Sequence, residues 1–135
     1  SIKTIASLGV PAFFSELDLS VLPNPYGFSG ANVSDNFKYT PDKDPYKDGL
    51  TAEHAKEMNQ FWVDFYKMLI TNKDNILRVG FWCVNDANSW RNDFPIKGRT
   101  DYATLFNRDN TPKECVQQII NLTMPQPVVS KKKRK

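Results

Sequence analysis

The sequence is poor in the residues that build metal centres and disulfide frameworks. Its 135 residues include only two cysteines and one histidine. Cys83 and Cys115 are too few for a disulfide framework. With His54 alone, in the first turn of a helix and expected to be solvated, no metal centre is expected. Asp42, Asp44 and Asp48 have the look of a calcium loop, but the glycine and closing glutamate of such a loop are not at the required offsets. No apolar run reaches the length of a membrane span, and no secretory leader stands at Ser1. There is no internal repeat. Neither a cofactor nor a membrane partner is expected.

Excess charge is also lacking outside one short run. The formal net charge is +3, but the last five residues carry +5 by themselves, so residues 1–130 carry −2. Such a run is either a nuclear-targeting or nucleic-acid patch or a solvated, disordered end. Its shortness favours the second, so residues 125–135 are expected to be a disordered basic tail, with no nucleic-acid partner. The mildly acidic body suits a protein that handles a neutral or acidic polymer.

What is present is an alternation of helical and strand-like segments. Residues 1–8 read as the end of a helix stopped by Gly9. Phe13 to Leu19 is a short apolar run between Val10-Pro11 and the Pro23/Pro25 loop, the pattern of a buried strand. Glu16 and Asp18 interrupt it. Side chains alternate across a strand, so both carboxylates are expected on one face with Ala12 and Phe14. Either the strand end emerges into solvent there or the carboxylates have work to do, because burying two side by side is costly. Residues 20–50 form a long loop with Tyr26, Phe28, Phe37, Tyr39 and Tyr46. Loops of that length are usually functional or disordered. Its rings either offer flat faces to a ligand or pack under the loop, and packing is the expectation for most.

Thr51 caps the next helix, whose apolar stripe runs through Ala55, Met58, Trp62, Phe65 and Leu69 and is widened by Phe61, Tyr66 and Met68. A second strand, residues 78–84, comes after a short connection. It should therefore lie parallel and adjacent to the first. Cys83 is expected to face the outer helices and Cys115 to lie in a helix covering that strand, where they either bridge or, as expected, stay two free buried thiols. Residues 85–110 form a second loop. Thr111-Pro112-Lys113-Glu114 reads as a capping box for a final helix ending near Leu122.

Two stretches carry a resemblance. Ser15-Glu16-Leu17-Asp18 resembles the strand-7 motif of glycoside hydrolase family 10, the retaining endo-β-1,4-xylanases. Phe81-Trp82, Asp86 and Ser89-Trp90-Arg91 resemble its strand-8 motif, and Leu105-Phe106 with Pro112-Lys113 matches the family's pattern beyond that strand. The resemblance runs from about Ser1 to Leu122. It implies an α/β fold in which residues 1–124 are the C-terminal part, about strands 7 and 8 with their helices, of a (β/α)8 TIM barrel. A whole barrel needs about 250 residues. A complementary N-terminal barrel segment is therefore an implied partner, and the chain alone is expected to be inactive and to expose unpaired strand edges.

The resemblance further implies Glu16 as the nucleophile, with Asp18 and Asp86 supporting it. Trp82, Trp90, Arg91 and Asn85 would contact xylan or xylo-oligosaccharides. The acid/base glutamate is expected in the complementary segment, since Glu53, Glu57 and Glu114 all lie on helices. A secreted, periplasmic or cell-surface location is implied by the family alone. The alternative is a carbohydrate-binding or degenerate module that holds glycan without cleaving it.

Overall fold

The computed structural model describes residues 1–28, 32 and 36–124. The basic tail expected over residues 125–135 lies outside the described residues. Five regular elements alternate: α1 (Ile2–Ala6), β1 (Ala12–Leu17), α2 (Ala52–Thr71), β2 (Ile76–Phe81) and α3 (Glu114–Thr123). The two strands form a parallel two-stranded sheet, and α2 and α3 pack over it. Helix α1 is shorter than the expected residues 1–8. Its last turn tightens, with Leu8 N–H donating to Ile5 O and Gly9 N–H to Ala6 O. Gly9 then takes φ +72°, a conformation glycine adopts without a side-chain clash.

Helix α2 starts where the threonine directs it. Thr51 Oγ1 accepts from the His54 N–H at 3.2 Å. His54 is not merely solvated: its Nδ1 lies 2.7 Å from the same hydroxyl and its ring packs on Tyr46. The buried face of α2 is Met58, Asn59, Trp62, Val63 and Leu69, and Trp62 is completely enclosed. Phe61, expected to widen that face, is instead half exposed at its rim, stacked on Phe65. Cys115 and Ile119 of α3 close the core against Met58, Trp62 and Val63, with Leu17 and Phe81 reaching it from the sheet. Each such apolar side chain contributes about 1.5–3 kcal/mol on burial.

The capping box at α3 does not form. Thr111 Oγ1 is held by Asp109 Oδ1 at 2.6 Å, and Lys113 occupies the cap position without capping through its side chain. Asn59 of α2 does that job from outside, its Oδ1 accepting the Cys115 N–H at 3.3 Å. An orphan donor of the first turn is thus satisfied by a neighbouring helix, which ties α3 to α2. Cys83 and Cys115 are both free thiols, Cys115 buried and Cys83 half-buried.

The sheet register decides which side chains reach the open face. Phe14 pairs with Val79 but Leu17 pairs with Phe81, so β1 carries one residue more than β2 between these pairs. That is a β-bulge, and it resets the alternation. Phe14 therefore packs edge-on against Phe65 of α2, while Leu17, three residues on, also joins the helix-side core. The expectation that Phe14 shares a face with Glu16 fails for this reason. Gly80 sits opposite the bulge, where a Cβ would lie 3.4 Å from Ser15 O and 3.5 Å from Phe14 O.

Candidate active site

Both long loops leave the carboxyl ends of parallel strands, the end at which α/β folds build their sites. Leu17 and Phe81 reach the helix-side core, whereas Glu16 and Trp82 beside them are exposed. Among the described residues no donor reaches the Glu16 carboxylate. Trp82 is 56% exposed and borders an apolar hollow of about 290 Å³ with Phe81, Cys83, Val84, Leu105 and Phe106.

Asp18 gathers the loop that leaves β2. Its Oδ2 accepts from Trp90 Nε1 at 2.7 Å and from Arg91 Nε at 3.2 Å, and its Oδ1 accepts from Arg91 Nη2 at 3.2 Å. A two-pronged arginine–carboxylate pair fixes orientation as well as adding energy. The Arg91 guanidinium also lies over the Trp90 ring, 4.4 Å from its centre, and the ring's stacking partner is Phe94 at 5.2 Å. Trp90 is therefore held by a hydrogen bond, a cation and a neighbouring ring.

Asp86 is fully buried and faces the other way. Its Oδ1 accepts from Thr104 N–H and Thr104 Oγ1, each at 2.9 Å, and its Oδ2 lies 2.9 Å from Lys113 Nζ. The Lys113 ammonium also donates to Tyr102 O at 2.7 Å and to Thr104 O at 2.6 Å. Burial pushes the Lys113 pKa down, and the Asp86 charge opposes that shift. Asn85, read from the sequence as a sugar contact, is also buried. Its Oδ1 accepts from the Asn88 N–H at 3.0 Å and its Nδ2 donates to Asn110 Oδ1 at 2.6 Å. Both ends of that amide are committed to shaping the loop.

The two loops are sewn together by residues that sequence reasoning passed over. Asp101, fully buried, accepts from Ser20 Oγ at 2.6 Å and from the Val21 N–H at 3.2 Å. Arg99 donates to Pro23 O at 3.1 Å and to Phe94 O at 3.2 Å. Asp44, one of the carboxylates with the look of a calcium loop, accepts the Thr100 N–H at 2.9 Å. No group of three or more His, Cys, Asp or Glu among the described residues is placed to hold a metal ion. Polar residues scattered through loops carry no periodicity that would have marked these pairs in advance. No described helix is long and apolar enough to cross a membrane.

With the fold and these side chains placed, the chain is similar to known proteins over most of its length. The family model described as Glycosyl hydrolase family 10 matches residues 1–122. The chain belongs to glycosyl hydrolase family 10. The endo-1,4-beta-xylanase A of Xylanibacter ruminicola is 42% identical over 122 residues, covering 90% of this chain and 33% of that protein. A family 10 endoxylanase retrieved from sugarcane soil metagenome is 38% identical with a TM-score of 0.83, over 90% of this chain and 35% of that one. A mutant protein solved in complex with xylotriose superimposes with a TM-score of 0.66 at 27% identity, over 89% of this chain and 32% of its own. The chain thus spans about a third of the length of these relatives. Its strands and helices are part of the (β/α)8 barrel of family 10.

Proposed function

We propose that this chain supplies the nucleophile half of a retaining endo-β-1,4-xylanase, as the C-terminal portion of the barrel. The observation that carries the reading is Glu16: a carboxylate on a bulged strand end, with no hydrogen-bond partner among the described residues, beside an exposed Trp82 and next to the Asp18 clamp. A stacking surface alone needs no carboxylate at this position.

Retention requires two carboxyl groups about 5–5.5 Å apart, one attacking the anomeric carbon and one protonating the leaving oxygen. Glu16 attacks; a glycosyl–enzyme ester forms as the bond to the leaving sugar breaks. The partner glutamate gives its proton to that oxygen, then takes one from the water that releases the ester. The nucleophile must be ionised while its partner is protonated, so the two need different surroundings. The partner belongs to the complementary N-terminal barrel segment, since Glu53 and Glu57 lie on α2 and Glu114 on α3. Trp82 and Trp90 wall the subsite at the cleaved bond, Arg91 helps to orient the sugar, and Asp18 and Asp86 hold these groups in place. The substrate is xylan or xylo-oligosaccharide, and so large a polymer fits a secreted, periplasmic or cell-surface enzyme.

The test combines the chain with a separately made segment covering strands 1–6 of a family 10 barrel. Neither part alone should release sugar from xylan, and the mixture should. Glu16→Gln in the mixture should lower turnover by several orders of magnitude, with azide partly restoring Glu16→Ala. Activity within about tenfold of the unsubstituted protein, a barrier change of only about 1.36 kcal/mol, would remove Glu16 from the reaction. Sugar bound but never cleaved by the mixture would instead favour a binding module.

A further inference from the structure

The two faces of the sheet carry different cargo. Phe14 and Phe81 turn toward the helices, Phe14 against Phe65 at 6.4 Å and Phe81 against Trp62 at 5.7 Å. Side chains alternate along a strand, so Phe13 and Arg78 stand on the other, open face. They are partners across the register, and the Arg78 guanidinium lies over the Phe13 ring, 5.2 Å from its centre. Both residues are exposed. Among the described residues no carboxylate and no hydrogen-bond acceptor meets that guanidinium. Arg91 and Lys113, by contrast, each have an aspartate.

Arg78 lies toward the start of β2, whereas the site gathers at the strand ends. The face that carries it is turned away from the helices, and in a (β/α)8 barrel that face lines a packed interior. Closing the barrel therefore takes this guanidinium out of water. Arginine does not shed its proton in a protein, and a buried charge persists only when paired. The backbone cannot supply the partner, because every strand of a closed barrel is hydrogen-bonded along both edges. Glu16 does not supply it either, since it stands beyond Phe13 on β1, roughly 10 Å nearer the site end.

We propose that Arg78 is the charge by which this chain engages the rest of its barrel, pairing with a carboxylate on the inner face of the complementary N-terminal segment, in the layer below the site. This rests on the reading of the chain as the C-terminal portion of a barrel, and it adds a requirement on the surface that completes it. The planar fork of the guanidinium suits a two-pronged carboxylate contact, which fixes the register of the two parts as well as joining them.

The experiment is urea denaturation of the barrel-completed protein, the chain joined to strands 1–6 of a family 10 barrel, with each Asp and Glu on the inner face of those strands changed in turn to Asn or Gln. Arg78→Met should lower the ratio of folded to unfolded protein at least hundredfold, because it leaves a buried carboxylate alone. Adding the amide substitution at the right acid should recover part of that loss, since no charge is then left unpaired, and a double-mutant cycle identifies that acid. Lys67→Met, which removes an exposed pair on α2, should change the ratio less than about fivefold. An Arg78→Met protein within about fivefold of the unsubstituted one overturns the inference. So does a large loss, or a failure to fold, that no acid substitution relieves. Neither result touches the xylan reading, which sugar release decides. A coupled pair in a protein that never cleaves xylan would remove that reading and leave this inference standing.

Discussion

Two carboxylate–cation pairs hold the loop beyond β2, and they are built in opposite ways. Asp86 and Lys113 are sealed, with side-chain exposures of 0% and 4%, and join the start of that loop to the start of α3. Asp18 and Arg91 stand at 12% and 23% exposure and join the end of β1 to the rim of the site. The sealed pair carries a desolvation cost that only its full set of partners offsets, so it resists loss of either member poorly. The open pair keeps part of its water and costs the fold little. One pair maintains the fold and the other maintains a surface.

The largest effect should come from breaking the sealed pair on one side. Lys113→Met leaves the Asp86 charge buried without a counterion, and we expect a loss of about 3–5 kcal/mol in urea denaturation of the barrel-completed protein. A loss below about 1 kcal/mol, the range of exposed pairs, would show that the two pairs are not different in kind. Removing both members with Asp86→Leu and Lys113→Met should recover only part of that loss. The Thr104 N–H and the carbonyls of Tyr102 and Thr104 would still lack the partners they now have. A double-mutant cycle measures the recovery.

The open pair should behave otherwise. Asp18→Asn is expected to cost no more than about 1 kcal/mol of stability yet to weaken xylo-oligosaccharide binding, because the amide keeps one acceptor oxygen where Trp90 and Arg91 now share two and loses the charge that holds Arg91. Added salt should narrow the difference between Asp18→Asn and the unsubstituted protein while leaving Lys113→Met unaffected, since buried charges are little screened. Equal salt sensitivity of the two variants would erase the distinction.

The smallest effect lies in the pH dependence. Burial holds Lys113 below its ordinary value of 10.5, so the unfolded chain binds that proton more firmly than the folded one. The Lys113 contribution to stability therefore grows as pH rises through the window between its lowered pKa and 10.5. Tyr66 and Tyr102, raised by burial from 10.0, act oppositely above that value, because the unfolded chain releases their protons first. Comparing the pH slopes of the unsubstituted chain and Lys113→Met just below about pH 10, where tyrosines begin to titrate, isolates the lysine.

This contrast also marks what the sequence could disclose. Strands and helices come from short apolar runs and three-to-four-residue spacing, and the order α, β, α, β, α was legible from them. Glu16 stood out as a carboxylate inside an apolar run, whereas the roles expected of Glu16 and Trp82 came from the family resemblance and not from the pattern of the residues. The bulge was not legible: alternation counts residues evenly, and nothing in Phe14-Ser15-Glu16-Leu17 says where the count slips. The capping box misled because Thr111 had a nearer partner in Asp109. The burial of Lys113 left no trace in a Pro-Lys-Glu string that reads equally well as an exposed helix start.

The stitching between the two loops has a kinetic consequence. Asp101 meets Ser20 across 81 residues, Arg99 meets Pro23 across 76 and Asp18 meets Arg91 across 73. Contacts so remote along the chain come with a loop-closure entropy that must be met before they return any energy, whereas α2 and β2 are neighbours in sequence. On refolding, the layer of α2 against the sheet should organise first and the rim of the site last. In stopped-flow refolding, Trp62 would report burial ahead of any signal from Trp90, so the chain passes through a stage in which its framework is present and its binding surface is not.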